Sequence, residues 1–341
     1  VDLINADCLH FIQSLPDDSI DLIVTDPPYF KVKPNGWDNQ WKGDEDYLKW
    51  LDHCLAQFWR VLKPAGSLYL FCGHRLASDI EIMMRERFNV LNHIIWAKPS
   101  GRWNGCNKES LRAYFPATER VLFAEHYQGP YRGKSDGYAA KERELKQHIM
   151  APLISYFRDA RAELGITAKQ IAEATGKKNM VSHWFGASQW QLPNEADYRK
   201  LQALFSRIAA EKFQEQQLEQ PHHQLVASYD SLNRKYSELL DEFKSLRRYF
   251  SVSVSVPYTD VWMHKPVQFY PGKHPCEKPA DMLRQIINAS SRPGDLVADF
   301  FMGSGSTIKA AMALGRRALG VELESERFNQ TVKEINELVG K

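Results

Sequence analysis

The chain has 341 residues, 43% of them hydrophobic, with Lys+Arg 44 against Asp+Glu 42 and a formal net charge of +2. That length suffices for one large core and a second unit. The near-balance excludes a polybasic coat protein or histone-like binder, so any nucleic-acid surface must be local. No run of ~18 consecutive apolar residues exists, which excludes a transmembrane helix.

Val1-Asp2-Leu3-Ile4-Asn5 is neither a charged n-region nor a signal h-region, and the missing Met suggests a chain trimmed at its start. Five scattered cysteines (8, 54, 72, 106, 276) without a CxxC pair provide neither a disulfide framework nor a cysteine zinc site. They suit a reducing, cytoplasmic setting.

Residues 20–25 form a β-branched apolar run that stops at Asp26-Pro27-Pro28-Tyr29. Two prolines continue neither a strand ladder nor a helix interior, so a strand is predicted to end there. Residues 67–72, 90–96 and 121–123 are further predicted strands. Their near-continuous apolar character points to a sheet covered on both faces. Between the first two, apolar residues at 47, 48, 51, 55, 58, 59 and 62 predict an amphipathic helix over 46–62, closed by Lys63-Pro64-Ala65-Gly66.

Residues 131–264 carry little strand signal and read as a helical insertion. Within it, residues 165–176 followed by 179–185 predict a helix–turn–helix: Thr167 caps the first helix, Gly176 turns, and Val181, Trp184 and Phe185 pack inward. Leu225, Leu232, Leu239 and Leu246 recur every seven residues, with Tyr229, Tyr236, Phe243 and Phe250 offset by four. This stripe fits a long helix packed on its own domain, or a seam between two copies.

The C-terminal stretch, 265–341, returns to strand–helix–strand grammar: a strand over 296–301, a glycine turn over 302–307, a helix over 308–314 and a strand over 318–322. Such units imply a parallel sheet with right-handed crossovers. Gly303-Ser304-Gly305 lets backbone N–H groups approach a ligand at a helix N-terminus. Glu322 closes the next strand, where a carboxylate accepts ribose hydroxyls, and Asp7, after another short strand, is placed for an adenine amino group. Ile308 stands where a dinucleotide fingerprint has its third glycine, which argues against a pyrophosphate.

Asp26-Pro27-Pro28-Tyr29 near the start, with Asp299-x-Phe301-x-Gly303-x-Gly305 near the end, resembles the β-class S-adenosylmethionine-dependent DNA amino-methyltransferases. Asn5-Ala6-Asp7-Cys8 is similar to that family's opening segment, and His274-Pro275-Cys276-Glu277-Lys278-Pro279 to its extra motif before the glycine loop. Phe300 replaces the family's usual proline and Ser306 its usual threonine. The whole chain, including its middle, also resembles the prophage-encoded, low-specificity adenine methyltransferases of the M.EcoGII type.

The resemblance implies an α/β, Rossmann-like class I methyltransferase fold with circularly permuted motif order, a mostly parallel twisted sheet and an α-helical insertion. It implies methyl transfer from S-adenosylmethionine, with S-adenosylhomocysteine as product and no metal, to N6 of a flipped-out adenine in DNA. Asp26, Pro27, Pro28 and Tyr29 would be catalytic. Asp26 and the Pro27 carbonyl accept the two amine hydrogens while Tyr29 stacks on the base. Asp7, Cys8, Lys278, Asp299, Phe301, Gly303, Ser304, Gly305, Ser306 and Glu322 would hold the cofactor. Ser in place of Asp26 would favour cytosine N4, which stays the alternative, beside an RNA or protein-amide methyltransferase and a non-catalytic DNA-binding regulator retaining the fold. A cysteine nucleophile at Cys276 is disfavoured, because Pro-Cys follows the glycine loop in the cytosine-C5 enzymes and precedes it here.

DNA contacts are expected from the loop after the tetrapeptide (Lys31, Lys33, Trp37 and Trp41) and from a second loop (Lys98, Arg102, Trp103 and Arg112). Residues 98–134 hold seven Lys/Arg against three Asp/Glu, the kind of local excess that gives sequence-independent phosphate affinity. Lys177, Lys178 and His183 sit where the helix–turn–helix would meet a major groove. DNA is thus the expected partner and a membrane is not, while a homodimer through the methyltransferase domain or the 225–250 helix stays open.

Overall fold

The computed structural model describes residues 1–31, 36–99, 109, 112–126, 150–187, 189–216, 235–246, 248–251 and 259–339. The chain divides into two compact units, residues 1–131 with 248–341, and residues 132–247.

In the first unit, the apolar runs become strands β1 (Asp2–Asn5), β2 (Ile20–Thr25), β3 (Leu62–Cys72), β4 (Asn89–Ala97), β5 (Thr118–Glu125), β6 (Val261–Trp262), β7 (Leu296–Asp299) and β8 (Arg317–Glu322). They form one sheet in the order β1-β8-β7-β2-β3-β5-β4-β6. Among these strands β5 runs against its neighbours, antiparallel to both β3 and β4, and the other pairs are parallel. This is an α/β fold with the mostly parallel sheet that the sequence leads one to expect.

Alternation along the central strands explains why both faces are covered. Ile23 and Leu68 pack on one side with Leu51, Leu55 and Phe58 of the helix Asp44–Val61. Leu22, Val24 and Phe71 pack on the other with Leu283, Ile286 and Ile287 of the helix Ala280–Ser290. Each such buried side chain contributes about 1.5–3 kcal/mol against the unfolded chain. The helix after β2 begins two residues earlier than its apolar spacing indicates, because Asp44 and Glu45 favour the positive helix N-terminus.

The boundary expected at 264 falls earlier. Arg248 pairs with Glu125 at 2.7 Å, Phe250 stacks on Phe123 at 5.5 Å and Trp262 lies in the sheet beside β4, so these residues belong with the first unit.

The second unit packs the helices Ala151–Leu164, Ala168–Thr175, Val181–Phe185, Glu195–Gln216 and Tyr236–Leu246 around Phe157, Ile171, Trp184, Trp190, Tyr198 and Phe205. Thr167 and Gln170 form a capping box, Gly176 ends that helix at φ 74°, and Val181, Trp184 and Phe185 are buried. Leu239 of the seven-residue stripe is buried in this core and Tyr236 lies against Tyr198. The helix carrying them stops at Leu246, and residues 225–234 lie outside the described ones.

Candidate active site

Strand β2 pairs with β7, Ile23 opposite Ala298, so the tetrapeptide and the glycine turn leave neighbouring strands at the same end. Ligands of open α/β sheets bind at that carboxyl end. Thr25 donates its hydroxyl to Asp299 Oδ1 at 2.9 Å and accepts from the Phe300 N–H at 3.1 Å. One pocket there is lined by Asp26 to Tyr29 and by Asp7, Cys8, Lys278, Asp299, Phe301, Gly303, Ser304, Ser306 and Glu322. Gly305 lies behind it as the N-cap of the helix Ser306–Ala313.

The tetrapeptide is held from several sides. The Lys278 ammonium donates to Asp26 Oδ2, while Asp26 Oδ1 is shielded from solvent and has no hydrogen-bond partner. Tyr29 donates its hydroxyl to Glu119 Oε2 at 3.0 Å, and Tyr47 donates to the Pro28 carbonyl at 2.8 Å. Phe30 and Lys31 follow with φ of 58° and 62°, left-handed conformations that cost about 1–3 kcal/mol each. Asp38 offsets that strain by accepting from the Phe30 N–H through its side chain and the Lys31 N–H through its carbonyl. Burial pushes the Asp26 carboxyl above its usual range; Glu119 reinforces the shift and Lys278 opposes it.

At the glycine turn, Glu322 accepts from the Gly303 N–H at 2.9 Å and the Glu324 N–H at 2.8 Å, clamping the turn it faces. Gly303 and Gly305 have φ of 48° and 68°. A Cβ on Gly305 would stand 2.6 Å from Thr331 Cγ2, so the turn excludes side chains on both grounds. Burial raises the Asp299 carboxyl to about 6, against hydrogen bonds from Thr307, Phe301 and Thr25; burial also raises Glu322. Phe300 is buried and stacks on Phe58 at 5.1 Å, filling core where the family usually has proline. Asp7 caps the helix Cys8–Ile12 by accepting from the His10 N–H. A turn opened by two glycines, with a carboxylate at the end of β8 and a second one buried beside it, suits a nucleoside diol joined to a cationic arm. The residues therefore fit S-adenosylmethionine.

Lys31 and Arg112 are exposed in the first unit. Lys98 bonds Glu119 and lies over the Trp96 ring. Trp41, expected in a loop over the base, is buried against Phe30, Tyr47 and Trp50, because the positive-φ turn at Phe30 needs that aromatic support. Lys33, Arg102, Trp103 and the Trp37 side chain lie outside the described residues. In the second unit Lys178 is exposed, His183 Nδ1 lies 3.1 Å from the Gln189 carbonyl, and Lys177 donates to the buried Asp197 at 2.6 Å. Glu119, Tyr47 and Asp38 were missed in the sequence, although an acid opening an apolar strand, as Glu119 does on β5, is a signal in itself. Among the described residues no His/Cys/Asp/Glu group is suited to a metal ion, and no helix is long and apolar enough to cross a membrane.

Residues 20–333 match the sequence model of a family described as DNA methylase. The type II methyltransferase M1.MboII of Moraxella bovis is 46% identical over 337 residues, covering 97% of this chain and 95% of that protein. The DNA adenine methyltransferase YhdJ of Escherichia coli K12 is 25% identical over 339 residues, covering 98% and 82%. Among solved structures, the cytosine-N4-specific PvuII DNA methyltransferase aligns with a TM-score of 0.52 at 15% identity, over 97% of this chain and 84% of that one. A complex of M1.HpyAVI with S-adenosylmethionine aligns with a TM-score of 0.50 at 18% identity, over 98% of each. At such identities the likeness is one of fold.

Proposed function

The chain belongs to the DNA methylase family of N6 and N4 amino-methyltransferases, and from that premise we propose that it methylates N6 of adenine in DNA after extruding the base. The observation that carries this reading is the Thr25–Asp299 bond, which keeps the tetrapeptide and the glycine turn on one pocket. Bound against Asp299, Gly303 and Glu322, S-adenosylmethionine supplies an electrophilic methyl group. The chain's own residues prepare the acceptor.

An exocyclic amine is a weak nucleophile because its lone pair is delocalised into the ring. Asp26 Oδ1 accepts a hydrogen bond from one amine N–H and the Pro27 carbonyl from the other, which draws the nitrogen toward tetrahedral geometry and frees the lone pair. Tyr29 flanks the base, its ring direction fixed by the hydroxyl bond to Glu119. Positioning of this kind is worth about 7–11 kcal/mol of barrier, against a few kcal/mol for unstacking the base. Asp26 Oδ1 then accepts the surplus proton.

Asp at position 26 supports adenine over cytosine, as does the named activity of YhdJ. The helical unit, with Lys178 exposed beside its short second helix, is read as a DNA-contacting module. Low sequence specificity is what the M.EcoGII-type resemblance implies. A defined recognition sequence is the second reading, favoured by 46% identity to a type II methyltransferase. Incubation of random-sequence DNA with the protein and labelled cofactor, followed by nucleotide-resolution mapping, tests both. Methyl groups on cytosine N4 would overturn the adenine assignment, and a single sequence context would overturn low specificity.

A further inference from the structure

We propose that Lys278, pinned between Asp26 and Glu119, is the positioning residue of the acceptor site: it holds Asp26 Oδ2 so that Oδ1 is the oxygen presented to the amine. The inference rests on the methyl-transfer reading and gives Lys278 a task other than the cofactor contact its motif implies.

The Lys278 ammonium donates to Asp26 Oδ2, lies 3.5 Å from Glu119 Oε2 and reaches the Cys276 carbonyl at 3.3 Å. Its side chain is only 7% exposed, so its attraction to the two carboxylates is weakly screened. It also lies over the Tyr29 and Phe71 rings, at 5.3 and 5.1 Å from their centroids. Three elements distant in sequence thus meet on one ammonium: the end of β2, the start of β5 and the segment before the helix Ala280–Ser290.

The arrangement decides what Asp26 can do. A carboxylate free to rotate offers either oxygen, and burial favours its neutral acid, which accepts poorly. With Oδ2 engaged by a cation, one oxygen remains and the ionised form is supported. Glu119 shares the cation: burial works to raise its carboxyl, and Lys278, Lys98 and the Tyr29 hydroxyl outweigh burial and hold it below its usual range. Lys278, despite burial, is held protonated by Asp26 and Glu119. The other ionisable groups around Asp26 are Tyr29, Asp299 and Cys72, which supply no positive charge, since burial holds the Tyr29 phenol and Cys72 thiol up.

The test uses the full chain with Lys278→Met, Lys278→Arg and Glu119→Gln. It measures single-turnover methyl transfer to DNA, cofactor affinity by calorimetry and the acid limb of the pH–rate profile. Lys278→Met is expected to slow transfer at least a hundredfold, keep cofactor affinity within threefold and move the acid limb up by a pH unit or more. Lys278→Arg recovers at least a tenth of the rate. Glu119→Gln moves the acid limb the opposite way, because it removes a negative neighbour of Asp26; this variant carries the test should Lys278→Met fail to fold. Cofactor affinity falling as steeply as the rate overturns the proposal and makes Lys278 a cofactor ligand. An unshifted acid limb in both variants also overturns it. Should wild-type protein transfer no methyl to DNA, the functional reading fails by itself. The carbon-13 titration of the Asp26 carboxyl, identified by its loss in Asp26→Asn, still reads the Lys278 coupling: a shift of a pH unit supports it and none overturns it.

Discussion

Thr25 and Asp299 are 274 positions apart and share a hydrogen bond of 2.9 Å between hydroxyl and carboxylate. Each closes a strand, β2 before the tetrapeptide and β7 before the glycine turn. The Phe300 N–H donates to the same hydroxyl, so one threonine fixes the spacing between the two halves of the site. The rigid parallel sheet supplies the registry, and the pocket forms where its strands end.

Asp299 makes that junction pH-sensitive. Burial raises its carboxyl from 3.8 to about 6, so the folded state binds a proton more tightly than the unfolded chain. The resulting cost is absent below about pH 4, grows between about 4 and 6 and is complete above, on the order of 3 kcal/mol. A cation bound beside Asp299 favours the ionised form. Affinity for S-adenosylmethionine is therefore expected to rise as pH climbs from 5 to 7 and to level off beyond, with proton release near pH 6. Asp299→Asn should flatten this profile and stabilise the cofactor-free protein at neutral pH. Calorimetry in two buffers of different ionisation enthalpy reads the released proton, and a flat wild-type profile would contradict the assignment.

Asp26→Ala removes an acceptor oxygen that has no partner within the protein. Methyl transfer is expected to fall at least a thousandfold while cofactor affinity changes less than threefold, because the proposed mechanism gives Asp26 to the acceptor amine and not to the cofactor. Radiolabelled transfer and calorimetry on the same sample separate the two. Normal turnover in the variant would remove Asp26 from the chemistry.

Much of this was legible in the chain. Two prolines after a β-branched run mark the end of β2, and glycines at 303 and 305 are needed where φ is positive, so the tetrapeptide and turn could be located from residue type alone. The support around them was not. Glu119 reaches Tyr29 only because β5 lies beside β3, a pairing neither strand sequence states, while Asp38 and Tyr47 act on the backbone of Phe30, Lys31 and Pro28 through a turn whose path residue type alone does not give. Trp41 misled because an aromatic among glycine, asparagine and lysine looks like a binding loop, while its neighbours in space are Tyr47 and Trp50. The described part of the seven-residue stripe packs on its own unit through Leu239, as one of its two readings expects, while Phe250 at its end stacks on Phe123 of the other unit.

Glu322 clamps the glycine turn, and the ribose contact proposed for it should be separable from that clamp by substitution. Its oxygens accept the Gly303 and Glu324 N–H groups, and a carboxylate has lone pairs to spare for ribose hydroxyls. Glu322→Ala is expected to weaken S-adenosylmethionine at least tenfold. A cofactor analogue lacking both ribose hydroxyls should lose affinity for the wild type and lose little further for the variant. Undiminished affinity of the variant would refute the ribose contact, and a full additional loss would reduce Glu322 to a clamp on the turn.

Lys177 and Lys178 are adjacent and are expected to behave differently. The Lys177 ammonium donates to Asp197, whose side chain is 5% exposed and whose N–H is held by Asn194 at the start of the helix Glu195–Gln216. Lys177→Ala leaves that carboxylate buried without its cation, at a cost of about 1–2 kcal/mol once the half-exposed lysine is allowed for. It should lower the unfolding temperature of the helical unit. Lys178 is exposed beside the same turn, so Lys178→Ala should leave unfolding unchanged and weaken DNA binding severalfold. The slope of log affinity against log salt should then flatten by about 0.9, the value for a single phosphate that is no longer neutralised. Fluorescence anisotropy across a salt series and thermal denaturation of both variants measure this division. If Lys178→Ala binds DNA with wild-type affinity and slope, this lysine neutralises no phosphate and the helical unit meets DNA by another surface.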